Sequence, residues 1–307
     1  MNNKVITVKV QSAGLSYSDP TFITLNDIEF GFEKYSRGFN VAVINETTGQ
    51  KICCTTFDPY TEGNSEAFVQ FVENLPEGRI VAIAVHDDAS YNLSDQVKAA
   101  CKSLGSLKIY SLRFRSSWAM IGQKGAKPTK AKEELSDYCA VSCWRPFTFP
   151  SVSENGACIA VKSSSGDDGT IAQISLNGES IDIEGGYQRG LNLVVFDPSN
   201  GTSMFSQSFD LFADPTAADT FAQRIEELAD GQIVAIAVQD DASINLSDRA
   251  KQACESIGSS LIRYIQFRNS WAIVGHKGAS PGSAIEQLSN TESAAVKFWL
   301  TSTQSNQ

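Results

Sequence analysis

The chain contains one long segment twice. Residues 68–128 match residues 221–281 at 36 of 61 positions when the sequence is shifted by 153 residues. This period is far longer than the units of about 20–50 residues that stack into solenoids. The 307 residues are therefore expected to form two similar domains in tandem, 1–148 and 154–302, each large enough to bury its own core.

Apolar patterning predicts the strands of each copy. In the first copy, the segments 39–44 and 51–57 are predicted as strands, and the polar turn that joins them indicates a hairpin. The segment IVAIAV (80–85) is apolar at every position, which indicates a strand covered on both faces. The segment LRFRSSWAMIGQKG (112–125) is predicted as a further strand.

Helical spacing of apolar residues predicts two helices in the first copy. One begins at Ser65, which is expected to be its N-cap, and the other spans 95–104 behind Ser94. The order of elements predicts α/β sandwich domains with mixed sheets and flanking helices. The segment WRPFTFPSVSENG (144–156) is predicted as an extended linker, and STQSNQ (302–307) as a disordered tail.

The acidic composition argues against several partners. Nucleic acids and anionic membranes are bound through basic surfaces, whereas this chain carries a net charge of −10. No stretch approaches the roughly 18–20 apolar residues of a membrane span, so membrane insertion is not expected. The first residues, MNNKVITVKVQSAG, lack the apolar region of a secretory signal, which leaves a cytoplasmic protein and a processed mature form open.

The seven cysteines do not suggest a shared disulfide framework. Only Cys101 and Cys254 correspond between the copies, and both are interpreted as buried apolar side chains rather than reactive thiols. Cys139 and Cys143 are close enough in sequence for a local bridge. None of the cysteines has the paired spacing of zinc ligands, and neither a metal nor another cofactor is expected.

A function common to both domains should reside in residues that both copies contain. This comparison removes the histidines, because His86 corresponds to Gln239 and His276 to Gln123. The polar and aromatic positions that do recur are Arg37/Arg189 in RG(F/L)N, Asp87/Asp240 and Asp88/Asp241 after the apolar strand, Arg115/Arg268 in FR(S/N)SW, and Trp118/Trp271.

These residues suit a sugar site at the carboxyl end of the central strand, where open α/β sheets bind ligands. Guanidinium groups donate hydrogen bonds and carboxylates accept them, as a ligand rich in hydroxyls requires. The alternative is a structural role, with Asp and Arg in a salt bridge and Trp in the core. A glycosidase would need two carboxyl groups flanking one bond, and the adjacent Asp87 and Asp88 are expected to diverge.

Several motifs occur in the same order in both halves: RG(F/L)N(V/L), FD before a helix, DDxxxxLxD, (L/I)GS and FRxSWAxxGxKG. In combination they resemble the interleukin-like EMT inducer (FAM3, PANDER-like) domain over roughly residues 25–130 and 178–283. This domain is similar to the stem domain of protein O-mannose N-acetylglucosaminyltransferase 1. The resemblance implies two tandem globular β-β-α sandwich domains, in which helices flank two sheets.

The resemblance implies two kinds of function. One branch of the family consists of secreted, cytokine-like proteins, which favours an extracellular location. The stem domain binds sugars of the N-acetylglucosamine type, and its contacts map onto Arg37, Asp87 and Arg115 and onto their second-copy counterparts Arg189, Asp240 and Arg268. The disulfide pattern of the cytokine-like branch is not reproduced here.

The sequence is therefore interpreted as a lectin with one sugar site per domain and with glycans or glycoproteins as partners. A metal, a cofactor and catalysis are not expected, and homo-oligomerisation is left open. The alternative is a cytokine-like, protein-binding module, which predicts an exposed apolar patch instead of a polar pocket. Tyr91 corresponds to Ile244, so the two sites are expected to differ in affinity.

Overall fold

The computed structural model describes residues 3–14, 18–149, 156–165 and 169–300. The chain divides into two compact units, Met1–Val152 and Ser153–Gln307. The predicted tail at 302–307 and the part of the predicted linker at 150–155 lie outside the described residues.

The first unit is built from strands and a few short helices. Among its described residues are the strands β1 (Lys4–Gly14), β2 (Phe22–Leu25), β3 (Ile28–Glu29), β4 (Gly38–Ile44), β5 (Lys51–Phe57), β6 (Ile80–Asp87), β7 (Ser117–Gln123), β8 (Lys132–Ser136) and β9 (Val141–Phe149). Its helices are α1 (Asn64–Glu73), α2 (Asp95–Ser103) and a short 3₁₀ helix, Lys108–Ser111.

The strands of the first unit form two packed layers. In one layer β1 lies between β2 and β9, and in the other β6 lies between β4 and β7. The layers are joined by a short parallel contact in which Ala13 pairs with His86 and Gly14 with Asp87. A cluster of buried residues from both layers, including Val8, Val10 and Ala82, fills the space between them.

The helices cover the other face of the β4–β6 layer. Phe68 of α1 stacks on Phe39 of β4 with centroids 4.9 Å apart. Strand β6 is buried from Ile80 to Val85, as its unbroken apolar run predicts. The predicted α/β class with mixed sheets and flanking helices is thus confirmed, and each unit is a β-β-α sandwich.

The second unit repeats this plan. Its described strands are β10 (Ala157–Ser164), β11 (Ile171–Leu176), β12 (Glu179–Ser180), β13 (Gly190–Phe196), β14 (Ser203–Phe209), β15 (Ile233–Gln239), β16 (Ser270–His276), β17 (Ile285–Ser289) and β18 (Ala294–Leu300). Its helices are α3 (Ala217–Glu226), α4 (Asp248–Glu255) and the 3₁₀ turn Ile262–Tyr264. The strand order is the same as in the first unit.

Two predictions about the first copy need correction. Residues 144–149 are not linker, because they belong to β9, which pairs with β1 from Lys4 to Ser12. The predicted strand at 112–125 begins only at Ser117, since Arg113–Ser116 form a turn closed by the hydrogen bond from Ser116 N to Arg113 O. The prolines of this segment suggested a linker, but Pro146 lies within β9 opposite Thr7, and one face of the strand is exposed.

The cysteines all lie in described residues, and none of them forms a disulfide, Cys139 and Cys143 included. Cys101 and Cys254 are fully buried on the inner faces of α2 and α4, which confirms their interpretation as apolar side chains. Burial raises the pKa of both thiols, so neither is a reactive thiolate near neutral pH.

The N-terminal caps of α1 and α2 provide a matched test of local stability. Ser94 caps α2, and its Oγ accepts a hydrogen bond from Val97 N at 3.3 Å. Helix α1 instead begins behind Gly63, without a side-chain cap, so the predicted capping role of Ser65 is wrong. We expect Ser94→Ala to lower the free energy of unfolding by about 1 kcal/mol.

Ser65→Ala is the control for this prediction. The Ser65 hydroxyl donates to Asn92 O at 3.3 Å on the exposed surface, so its loss should change stability by less than about 0.5 kcal/mol. Urea unfolding of both variants checks the difference. Equal midpoints for the two would contradict the capping assignment.

Candidate functional site

Apart from Trp118, the predicted site residues of the first domain lie at one edge of its sandwich. There β1 and β6 end, and β4 and β7 begin. We call this surface the first rim and define it as Arg37, Asp58, Tyr60, Asp87, Asp88, Phe114 and Arg115. The corresponding second rim consists of Arg189, Asp210, Phe212, Asp240, Asp241, Phe267 and Arg268.

Asp88 fixes the geometry of the first rim from below. It is 2% exposed, and its Oδ1 accepts hydrogen bonds from Arg115 N at 2.9 Å and Ser90 N at 3.1 Å. Its Oδ2 accepts the hydroxyl of Tyr60 at 2.5 Å. Asp88 is therefore a positioning residue, and its buried carboxylate is not presented to a ligand.

Two non-glycine residues of this rim adopt left-handed backbone conformations. Asp87 has φ of 57° and Arg115 has φ of 58°, and the second rim repeats this at Asp240 (59°) and Arg268 (56°). Such conformations are costly for residues with a Cβ and persist only where neighbouring contacts impose them. The carboxylates of Asp88 and Asp241 supply those contacts, since each accepts the backbone N–H of the arginine.

Arg37 is held by a carboxylate and an aromatic ring. Its Nε donates to Asp58 Oδ1 at 3.1 Å, and a terminal guanidinium nitrogen donates to Asp58 Oδ2 at 2.9 Å. The guanidinium carbon lies 4.2 Å from the centroid of Tyr60. Tyr60 also stacks on Tyr91, with centroids 4.4 Å apart. The result is a layered arrangement of Arg37, Tyr60 and Tyr91.

The second rim reproduces the arginine but not the tyrosines. Arg189 forms the same two-pronged pair with Asp210, at 3.0 and 2.8 Å, and lies 4.2 Å from the centroid of Phe212. Phe212 has no hydroxyl to donate to Asp241. Asp241 instead accepts from the backbone N–H groups of Ser243 and Ile244, in its own loop, in addition to Arg268 N.

Three aspartates of these rims, Asp58, Asp88 and Asp210, have lowered pKa values. Burial alone would raise the pKa of Asp58 and Asp88, but hydrogen bonds from Arg37 and from Tyr60, respectively, outweigh it and lower both values. The hydrogen bond from Arg189 lowers the pKa of Asp210. The stability that these three ionised carboxylates contribute is fully present at a pH above their ordinary pKa of 3.8. It is lost as the pH falls through each lowered pKa.

Exposed rings stand beside the second pair of arginines. Phe114 is 66% exposed and Phe267 is 63% exposed. The guanidinium carbon of Arg115 lies 5.0 Å from the centroid of Phe114, and that of Arg268 lies 5.4 Å from that of Phe267. Arg268 Nε also lies 3.4 Å from Asp240 Oδ1. Each rim therefore presents an apolar ring flanked by charge, a combination that the motif FR(S/N)SW did not reveal.

The two predicted tryptophans lie away from the surface. Trp118 and Trp271 are both fully buried, so direct contact between either indole and a ligand is excluded. Side chains along a strand point alternately to its two faces, and in β7 and β16 the tryptophans point toward the helical layer. There the ring of Trp118 meets that of Phe39 edge-on, with centroids 6.2 Å apart. They lie in the core, the structural role that the sequence left open for them.

Each indole is tied to a buried glutamate. Glu133 accepts Trp118 Nε1 at 3.1 Å, Ser106 Oγ at 2.6 Å, and two backbone N–H groups. Glu286 accepts Trp271 Nε1 at 3.2 Å together with three donors from Ser259 and Ser260. Burial raises the pKa of Glu286, and these hydrogen bonds limit the rise. These acids were not selected from the sequence because they follow the segment in which the copies are most alike.

Asp58 and Asp210 were also missed, although a signal existed. Both follow a phenylalanine at the end of a strand, at corresponding places in the two copies. An acid that recurs beside a recurring arginine could have been recognised as its partner.

Of the described helices, none has both the length and the apolar character needed to cross a membrane.

Comparison with known proteins identifies the domains. The family model described as interleukin-like EMT inducer matches residues 37–126 and 189–279, which together make up more than half of the chain. Human protein FAM3B is 30% identical over 125 residues, covering 40% of this chain and 53% of that protein. Bovine protein FAM3C is 36% identical over 98 residues, covering 32% of this chain and 43% of that protein.

A third similar protein has a different name. The human cell migration-inducing and hyaluronan-binding protein is 34% identical over 110 residues, covering 34% of this chain and 8% of that protein. These alignments span about half of each FAM3 relative and a small part of the third protein. With a model match in each of its two similar units, the chain belongs to the interleukin-like EMT inducer family and carries two of its domains in tandem.

Proposed function

We propose that the chain is a non-enzymatic, cytokine-like binding protein whose two rims contact a protein partner. The observation that carries this proposal is the exposure of Phe114 and Phe267, each beside an arginine, at equivalent places in the two domains. Protein interfaces are enriched in aromatic residues and arginine, which account for much of the binding energy. An exposed apolar ring is what the protein-binding alternative predicts.

The same geometry supports a role without catalysis. Asp88 and Asp241 are buried and saturated with hydrogen bonds from their neighbours, so they are not available for proton transfer to a ligand. Arg37 and Arg189 are engaged by Asp58 and Asp210. What remains at the surface are rings and charges suited to recognition.

Glycan binding is the second candidate. It is favoured by the carboxylate of Asp240 beside Arg268, at 3.4 Å, because acceptors and donors side by side suit sugar hydroxyls. It is also favoured by similarity to a protein whose name includes hyaluronan binding. In this case Arg115 and Arg268 would donate to an N-acetylhexosamine, and Asp87 and Asp240 would accept from its hydroxyls.

A double variant, Phe114→Ala/Phe267→Ala, tests the proposal. We expect it to remain folded and to lose at least about tenfold in saturable binding to cell surfaces, since interface aromatics commonly contribute this much. A fluorescently labelled full chain is titrated onto cultured cells, with and without prior protease treatment. A glycan array is probed in parallel with the same proteins.

Trp144→Ala/Ile171→Ala is the matched control, because these side chains are 60% and 45% exposed and lie outside the rims. Loss of binding in the rim variant and after protease treatment, but not in the control, supports a protein partner. Binding that survives protease and appears on the array favours the glycan candidate. Unchanged binding by the rim variant would show that neither rim is the binding surface.

A further inference from the structure

A groove with a volume of about 610 Å³ lies beside the first rim, between the starts of α1 and α2. Apart from Gly63 and Leu93, its lining residues are aromatic, hydroxylated, amide-bearing or acidic: Tyr60, Thr61, Glu62, Ser65, Glu66, Tyr91, Asn92 and Ser94. These ten residues include two glutamates and no Lys, Arg or His. A cationic ligand would therefore meet attraction, and an anionic one repulsion, at the groove wall.

Tyr91 offers the groove one open aromatic face. Arg37 lies 4.2 Å from the Tyr60 centroid, and Tyr91 lies 4.4 Å from it at an interplanar angle of 14°. A guanidinium and a second ring cannot share one face at these distances, so they cover the two faces of Tyr60. Among the residues that the structure describes, Tyr91 stacks on Tyr60 alone, and it is 50% exposed. Its other face ends the layered arrangement.

The molecule already shows what this kind of surface binds. In both rims an arginine lies 4.2 Å from a ring centroid and donates two hydrogen bonds to a neighbouring aspartate. An aromatic face beside a carboxylate is the complement of a guanidinium, which stacks through its plane and donates through its edge. The groove contains the ring of Tyr91 and the carboxylates of Glu62 and Glu66, but its lining supplies no arginine.

We propose that this groove binds an arginine side chain presented by an exposed basic segment of the partner protein. The inference rests on the proposed protein-binding function and states which chemical feature of the partner the first domain recognises. The incoming guanidinium stacks on Tyr91 as the next layer and donates to Glu62 or Glu66. Arg37 does not oppose this, because its charge is paired with Asp58.

The second domain lacks the corresponding tyrosines, since Phe212 and Ile244 stand where the first domain has Tyr60 and Tyr91. It keeps the acids, but neighbouring groups engage them. Asp214, which corresponds to Glu62, accepts the N–H and the hydroxyl of Thr216. The acid that corresponds to Glu66, Asp219, accepts the hydroxyl of the helix cap Ser247 at 3.1 Å. The arginine preference is accordingly assigned to the first domain alone, which makes the second an internal control.

The test is titration of the isotopically labelled full chain with a short peptide of alternating arginine and serine, followed by nuclear magnetic resonance. Peptides in which lysine or glutamate replaces arginine are compared. We expect saturable shifts confined to the groove and weaker binding of the lysine peptide by about fivefold, since an ammonium cannot stack and donate in the same way. No localised shift, or equal binding of the glutamate or lysine peptide, would overturn the proposal.

Variants separate the groups involved. Tyr91→Ala and Glu62→Gln/Glu66→Gln should each weaken the arginine peptide by about tenfold, while Tyr91→Phe and Ile244→Ala should leave it unchanged. Retained binding by Tyr91→Ala would contradict the stacking role.

If the peptide binds but Phe114→Ala/Phe267→Ala leaves cell binding intact, the proposed function fails and the groove stands. If cell binding depends on the rims but the peptide does not bind, only the groove assignment fails.

Discussion

Replacing Glu286 by alanine is expected to lower the free energy of unfolding of the second domain by about 4 kcal/mol, because several buried donors lose their acceptor together. Glu286 is 5% exposed and accepts hydrogen bonds from Trp271 Nε1, Ser259 Oγ and both the N–H and hydroxyl of Ser260. Alanine satisfies none of these donors and leaves a cavity beneath the indole. Glu286→Gln keeps one acceptor oxygen and should lose less.

Urea unfolding combined with hydrogen exchange measures this effect and assigns it to a domain. Exchange should accelerate in peptides from residues 257–289, while the first domain keeps its protection. Glu184→Ala, at an exposed position of the same domain, is the control and should be nearly neutral. Glu133→Ala should destabilise the first domain in the same way. A change of less than about 0.5 kcal/mol for Glu286→Ala would rule out a stabilising role for the buried carboxylate.

Replacing Asp88 by alanine is expected to cost about 3 kcal/mol and to release the turn that presents Phe114 and Arg115. The carboxylate of Asp88 holds Arg115 N, Ser90 N and the Tyr60 hydroxyl. Without it, nothing comparable offsets the strain of Arg115 at φ of 58°. Hydrogen exchange should show lost protection at 113–118, together with reduced binding of the partner.

Asp87→Asn is the control for this variant. Asparagine tolerates the left-handed backbone of residue 87, where φ is 57°, at least as well as aspartate does. This change should leave stability within about 0.5 kcal/mol of the parent. If Asp87→Asn loosens the turn as much as Asp88→Ala, the positioning role assigned to Asp88 is wrong.

The sequence pattern predicted correctly those elements in which local signals alone determine the structure. The run IVAIAV is buried on both faces, and Ser94 begins a helix as its position suggests. Patterns failed where tertiary contacts decide. Ser65 does not cap α1, because that helix starts one residue earlier behind a left-handed Gly63, and its hydroxyl bonds Asn92 O instead.

Comparison of the two copies selected residues that gather at one edge, but it could not distinguish their roles. Asp87 and Asp88 are adjacent and recur together, yet Asp88 is buried and shapes the turn. The tryptophans recur because they fill the core, which no spacing argument separates from ligand contact. The partner of Arg37 lies 21 residues away at Asp58, and only the pairing of β4 with β5 brings the two together.

The Tyr60 hydroxyl has a mechanical consequence. Through Asp88, it links the loop after β5 to the turn before β7, so a displacement at Tyr60 must strain or break a 2.5 Å hydrogen bond that shares its carboxylate with Arg115. In the second domain the phenyl ring of Phe212 cannot donate such a bond, and Asp241 accepts from Ser243, Ile244 and Arg268. Both domains join the loop after the β5 or β14 strand to the next loop through an asparagine, Asn92 or Asn245. The first domain adds, through Tyr60, a direct link to the turn before β7, along which a movement of one loop is passed to the other.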